Sequence, residues 1–125
     1  MFKVKFYYDK GGKSEIVDLL DRLKEESDTN KISRIERNKI LAYMLALSTH
    51  GTRLGEPFVK HIEGKIWELR PLRYRFFFFY WKDNTYVVLN YYIKKTGKTP
   101  RREIEEAFAL MNDFVEREAQ NHEKS

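Results

Sequence analysis

Between Ile66 and Pro100 the chain commits itself to a sheet. Six consecutive aromatic residues, Phe76-Phe77-Phe78-Phe79-Tyr80-Trp81, close a segment that begins at Tyr74. A strand that is apolar on both faces belongs in the middle of a sheet and needs cover on at least one side. Lys82-Asp83-Asn84 reads as a tight turn, and a second apolar run, Thr85 to Ile93, follows it. Two such runs around a short polar turn make a hairpin, and therefore an antiparallel meander. Cations bracket both strands: Arg70, Arg73 and Arg75 precede the first, and Lys94-Lys95-Thr96-Gly97-Lys98-Thr99-Pro100 leaves the second.

The charge is unevenly spread. Residues 58–102 hold eleven Lys and Arg against three acids, a surplus of +8, whereas the whole chain carries +5 and the remainder therefore sums to −3. Concentrating cations on one element is what an anionic partner such as a phosphate backbone requires. The sequence pI is near 9.3. With 125 residues and no cysteine, the chain is sized for one domain with a sizeable core and has neither disulfides nor thiolate metal sites. Its opening, Met1-Phe2-Lys3-Val4-Lys5-Phe6, lacks the apolar block of a signal peptide. The aromatic run is far shorter than the ~20 residues that span a bilayer. The expectation is a soluble cytoplasmic protein.

The remaining elements follow from periodicity. Phe2, Val4, Phe6 and Tyr8 alternate with Lys3, Lys5 and Tyr7, as in a half-buried strand. After the turn Asp9-Lys10-Gly11-Gly12, Ser14 stands where a helix cap belongs, ahead of Ile16, Leu19, Leu20 and Leu23 at helical spacing. That helix fades near Ser27-Asn30. A second one, with Ile32, Ile35, Tyr43, Met44 and Leu47 as its apolar stripe, stops at His50-Gly51 and completes an αα-hairpin. A Gly- and Pro-containing loop leads to a short segment, Phe58 to Ile62. The sheet proper begins at Gly64, with Trp67 and Leu69 on one face and Ile66, Glu68 and Arg70 on the other. Thr99 as cap and Pro100 at the first helical position start a last helix, buried through Ile104, Ala107, Phe108, Met111, Phe114 and Val115 and frayed over residues 117–125. The order is β-α-α-β-β-β-α: an α+β domain of residues 1–125, its helices packed on one face of a mostly antiparallel sheet. The other face is then open, and strand ends bring Arg70, Arg75, Lys94 and Lys95 together on it.

Little else in the chain suggests chemistry. His50, His61 and His122 are scattered, and no spacing of His, Asp and Glu suggests a metal site. Lys95-Thr96-Gly97-Lys98 lacks the earlier glycine and the βαβ setting of a phosphate loop. RNA, however, supplies its own nucleophile, the 2′-hydroxyl. Its cleavage needs a proton acceptor, a donor for the departing oxygen, and cations for the charge that gathers on phosphorus. Arg70, Arg73, Arg75, Lys94, Lys95 and Lys98 offer fixed charge and, among crowded lysines, an amine of lowered pKa. Lys60, His61, Tyr92 and Thr96 are the expected RNA-binding side chains beside them. Against this stands a plainer reading, in which the cations are a solvated rim and Arg75 and Lys82 are gatekeepers of an aggregation-prone strand.

Trp67-Glu68-Leu69-Arg70, Tyr74-Arg75 with the aromatic strand behind it, and Lys94-Lys95-Thr96-Gly97-Lys98-Thr99-Pro100 together resemble the RelE/ParE superfamily of toxins, with the HigB-like, phage-derived host-inhibition branch the nearest in pattern. The resemblance covers essentially the whole chain. It implies a type II toxin-antitoxin toxin that cuts messenger RNA on the translating ribosome without metal or other cofactor. It also implies neutralisation by a helix-turn-helix antitoxin, with operator DNA reached only through that antitoxin. By position, Arg70 and Arg75 match the motif arginines and Lys94, Lys95 and Lys98 the motif lysines; Arg73 lies between motifs. Where relatives carry a histidine before the last strand's aromatic residue this chain has Asn90, which leaves Tyr92 or a lysine for proton transfer. Two other outcomes remain open at this point: a ParE-like inhibitor that binds DNA gyrase, and a basic RNA- or ribosome-binding module without catalysis.

Overall fold

The computed structural model describes residues 1–124, with side chains through Asn121. It is an α+β fold of eight principal elements: β1 (Lys3–Phe6), α1 (Glu15–Glu26), α2 (Lys31–His50), β2 (Val59–Glu63), β3 (Ile66–Leu69), β4 (Tyr74–Lys82), β5 (Thr85–Ile93) and α3 (Arg101–Lys124). The five strands form one mixed sheet in the order β1-β5-β4-β3-β2, antiparallel except where β1 runs parallel to β5. The hairpin turn is as the sequence indicates, with Asp83 and Asn84 both at positive φ (52° and 57°).

Three expectations need correction. The segment after Pro57 is a strand in its own right, so the order is β-α-α-β-β-β-β-α. Val59 is fully buried opposite Leu69, but the period-2 signal is too short and too polar, with Lys60 and His61 inside it, to declare itself. The helices do not share one face. α1 and α2 cover the side bearing Phe76, Phe78, Tyr86 and Val88, while α3 covers Ile66, Phe77, Phe79, Val87 and Leu89 through Ile104, Ala107 and Phe114. A central strand apolar on both faces demands that arrangement. In α2 the buried positions are Ser33, Glu36, Ile40, Met44 and Leu47; Ile32 and Ile35 face solvent. The stripe is rotated because Glu36 is drawn inward as an ion-pair partner.

The last helix also begins differently. The Pro100 carbonyl accepts the Glu103 and Ile104 amides, making Pro100 the capping residue, while the Thr99 hydroxyl turns toward Glu68. The helix runs on past Glu116, where fraying was expected. Arg117 anchors that turn by donating to Asp113 and to the Tyr8 carbonyl, and Tyr7 donates to the same carboxylate. Ser125 lies outside the described residues, as does the side chain of His122.

Gly51 closes α2 at φ 60°, and a Cβ built on it would sit 2.6 Å from the Tyr86 hydroxyl and 2.9 Å from Phe2 Cε2. A left-handed backbone and an overpacked core each cost a side chain here. Gly51→Ala should therefore lose about 3 kcal/mol of stability, measured by urea unfolding. A loss below ~1 kcal/mol would mean the α2–β5 contact yields more easily than its packing indicates.

Candidate anion-binding site

α3 covers only part of its face of the sheet. Beyond its first turn, the ends of β2, β3, β4 and β5 leave a pocket of about 330 Å³ into which Lys60, Arg70, Arg75, Tyr92, Lys94 and Lys98 project. Local structure explains the convergence. Lys60 lies opposite Glu68, and Arg75 opposite Tyr92, in the ladders that join their strands. The last pairing depends on a bulge. The β4–β5 register shifts between Phe77, opposite Asn90, and Phe78, opposite Val88, which leaves Leu89 as an extra residue. Val87 and Leu89 already face α3, and after the bulge Asn90 and Tyr92 face it too. Without that residue, strict alternation would send Tyr92 to the opposite side with Val88.

At the pocket's floor is a carboxylate that sequence reasoning missed. Glu68 is 2% exposed. Tyr92 donates its hydroxyl to Glu68 Oε2 at 3.1 Å, and Thr99 Oγ1 lies 3.5 Å from the same oxygen. Arg70 Nε and Arg75 Nε stand 3.5 and 3.9 Å from Oε1, close enough to neutralise it but too far for a hydrogen bond. Both Nε atoms are buried without a hydrogen-bond partner among the described residues. Arg75 is fixed by Nη1, which donates to the carbonyls of Leu72 (2.8 Å) and Tyr74 (2.7 Å). Leu72 adopts a left-handed backbone, φ 54°, at that point. A signal for Glu68 was present: an acid between Ile66 and Arg70, on a strand face that must be covered, has to be paired.

Burial, then the charge of Arg70, lowers the Arg75 guanidinium from its ordinary value. Burial, with the Glu68 carboxylate adding to it, pushes the Tyr92 phenol up, so Tyr92 keeps its proton at neutral pH. The pocket thus offers fixed positive charge, one protonated hydroxyl and a buried carboxylate behind it. Among the described residues, no three His, Asp or Glu side chains gather as a metal ion would require.

The structure brings Arg70, Arg75, Lys94, Lys98, Lys60 and Tyr92 together, but not every expected residue. Lys95 and Thr96 line a neighbouring cleft on the far side of Tyr92. His61 borders the pocket, yet its Nε2 is 2.7 Å from the Gly64 carbonyl and its ring meets Trp67 edge-on. Arg73 is on the other face altogether. It forms a fork to Glu36 of α2, with Nε 2.6 Å from Oε2 and Nη2 3.2 Å from Oε1, and Tyr74 donates to the same carboxylate. Arg73→Ala should therefore act on folding, costing about 1–3 kcal/mol by stripping a buried acceptor. Activity should fall only as far as the folded fraction falls, which a denaturation curve run beside the activity assay would establish.

The pocket falls within a recognisable family pattern. The chain belongs to the phage-derived Gp49-like family (DUF891), which it matches over residues 27–112. That span runs from the α1–α2 loop into α3 and includes every residue of the pocket. The Gp49-like family is related to type II toxin-antitoxin systems. No curated protein matches this Gp49-like chain. Among its described residues no helix is long and apolar enough to cross a membrane.

Proposed function

We propose that this Gp49-like protein is the toxin of a type II toxin-antitoxin pair, in a HigB-like branch with RelE-like architecture, and that it cleaves messenger RNA on the translating ribosome. One observation carries the reading. Arg70 and the buried Arg75, joined by Lys60, Lys94 and Lys98, line a single pocket whose only acid among the described residues is Glu68. The phosphate of an RNA backbone fits that charge and donor pattern.

In the reaction the 2′-oxygen forms a bond to phosphorus as the bond to the 5′-oxygen breaks. The products are a 2′,3′-cyclic phosphate and a free 5′-hydroxyl. Arg70 and Arg75 face the two non-bridging oxygens as negative charge grows on them, an interaction stronger in the transition state than before it. Tyr92 turns its hydroxyl from Glu68 to the departing 5′-oxygen, gives up its proton there, and is reprotonated from solvent. The 2′-proton passes to a lysine of the rim or to solvent. The protein's partner is a helix-turn-helix antitoxin, with operator DNA contacted only through it, and the complex is cytoplasmic.

Expression without the antitoxin should arrest growth and leave messages cut inside translated frames, mapped by primer extension. Growth arrest with translated messages intact overturns the nuclease reading. A supercoiling defect in that case would point to gyrase, and RNA binding without cleavage or toxicity to a simple binding module.

A further inference from the structure

On the far side of Tyr92 lies a second cleft, of about 440 Å³, which shares Tyr92 and Lys98 with the first. Its chemistry differs. Tyr91 and Tyr92 give it aromatic surface, Lys95, Lys98 and Arg102 bring cationic donors, and two carboxylates enter from separate helices. Glu15 comes from the first turn of α1 and Glu103 from the first turn of α3. With two carboxylates set among three cations, the cleft suits a second phosphate less well than the first pocket does, where one carboxylate faces five cations. A planar, uncharged group with donors and acceptors on adjoining atoms suits it better, and aromatic surface is where an unstacked base settles.

Guanine is the base whose edge matches. Its N1–H and N2–H₂ are neighbouring donors that one carboxylate accepts together, while O6 and N7 accept from Lys or Arg. Adenine and cytosine each set a single amino donor beside an acceptor, and uracil sets one N–H between two carbonyls. None offers a carboxylate two donors on adjoining atoms.

We propose that this cleft is a guanine-binding subsite that places a guanosine next to the phosphodiester held by Arg70 and Arg75. The inference rests on the RNA reading above and names the base beside the cut. Glu15 stands among other acids. Burial, then the charges of Glu106 and Glu103, pushes its carboxyl above the ordinary carboxylate range. With the folded value raised, ionised Glu15 weakens the fold above that pH, and the penalty disappears as pH falls through it. Glu15→Gln should then fold at least as well as the parent at neutral pH.

The test uses short single-stranded RNAs identical except for one G, A, C or U, titrated against the purified protein and its Glu15→Gln, Glu103→Gln and double variants. The guanine RNA should bind about tenfold more tightly than the other three, and the preference should collapse in the double variant. Equal affinity for all four, or a preference that survives in the double variant, overturns the subsite. RNA bound without base preference, or not bound at all, overturns the subsite and leaves the nuclease reading in place, which fails only if translated messages stay intact.

Discussion

Arg70→Ala is expected to slow cleavage of translated mRNA by about 100-fold or more while leaving the protein folded. Arg70 follows β3 and keeps 20% of its side chain exposed at the pocket. Its Nε is 3.5 Å from Glu68 without a hydrogen bond, so the fold draws little from it. After the substitution Glu68 still has Arg75, Tyr92 and Thr99 around it. The folding cost should stay near 1 kcal/mol, visible as a small shift in a urea curve. The charge that develops on phosphorus, by contrast, loses one of the two guanidiniums that face it. Arg70→Lys should recover part of the rate, since it restores charge but not the forked donor. Parental cleavage by a folded Arg70→Ala protein would move the chemistry out of this pocket.

Much of this arrangement could be read from the chain because it depends on local patterns. Ser14 caps α1 through Val17, Asp83-Asn84 turns the hairpin, and Ile16, Leu19, Leu20 and Leu23 are buried as their spacing requires. The parity of β3, with Ile66, Glu68 and Arg70 on one face, was also legible. What escaped reading depends on contacts between distant segments. Glu36 is buried because Arg73 and Tyr74, thirty-seven and thirty-eight residues away, meet it, and this both rotates the α2 stripe and removes Arg73 from the cation cluster. The one-residue bulge at Leu89 has no composition signal, yet it decides the face on which Tyr92 stands. The role of α3 was inferable from the Phe77 and Phe79 side of β4, which no hairpin of α1 and α2 could cover as well. With that side largely filled, the open sheet face expected from the sequence shrinks to a pocket at the strand ends. A pocket binds a backbone at one phosphate rather than along a groove, which suits cleavage at a defined bond.

Glu68→Gln should be the most destabilising of the substitutions considered, at about 3–5 kcal/mol. Against a total stability of about 5–15 kcal/mol for a domain of ordinary size, that is a large share. The amide keeps the shape of the side chain and can still accept from Tyr92, so the loss isolates the charge. Without it, two guanidiniums whose Nε atoms are buried stand near one another with no compensating anion. Arg75, already lowered by burial and by Arg70, would carry most of the strain. The same reasoning makes the defect reversible. A phosphate ion in the pocket can supply the negative charge the carboxylate has taken away, and a ligand that binds only the folded state raises stability with its concentration. Phosphate should therefore raise the melting temperature of Glu68→Gln more than that of the parent, in buffers matched for ionic strength with chloride. Equal responses in the two proteins would mean that the arginines do not present their free donors to an incoming anion, and the RNA site would lose its physical basis. A variant as stable as the parent would mean that Glu68 is not their counter-ion.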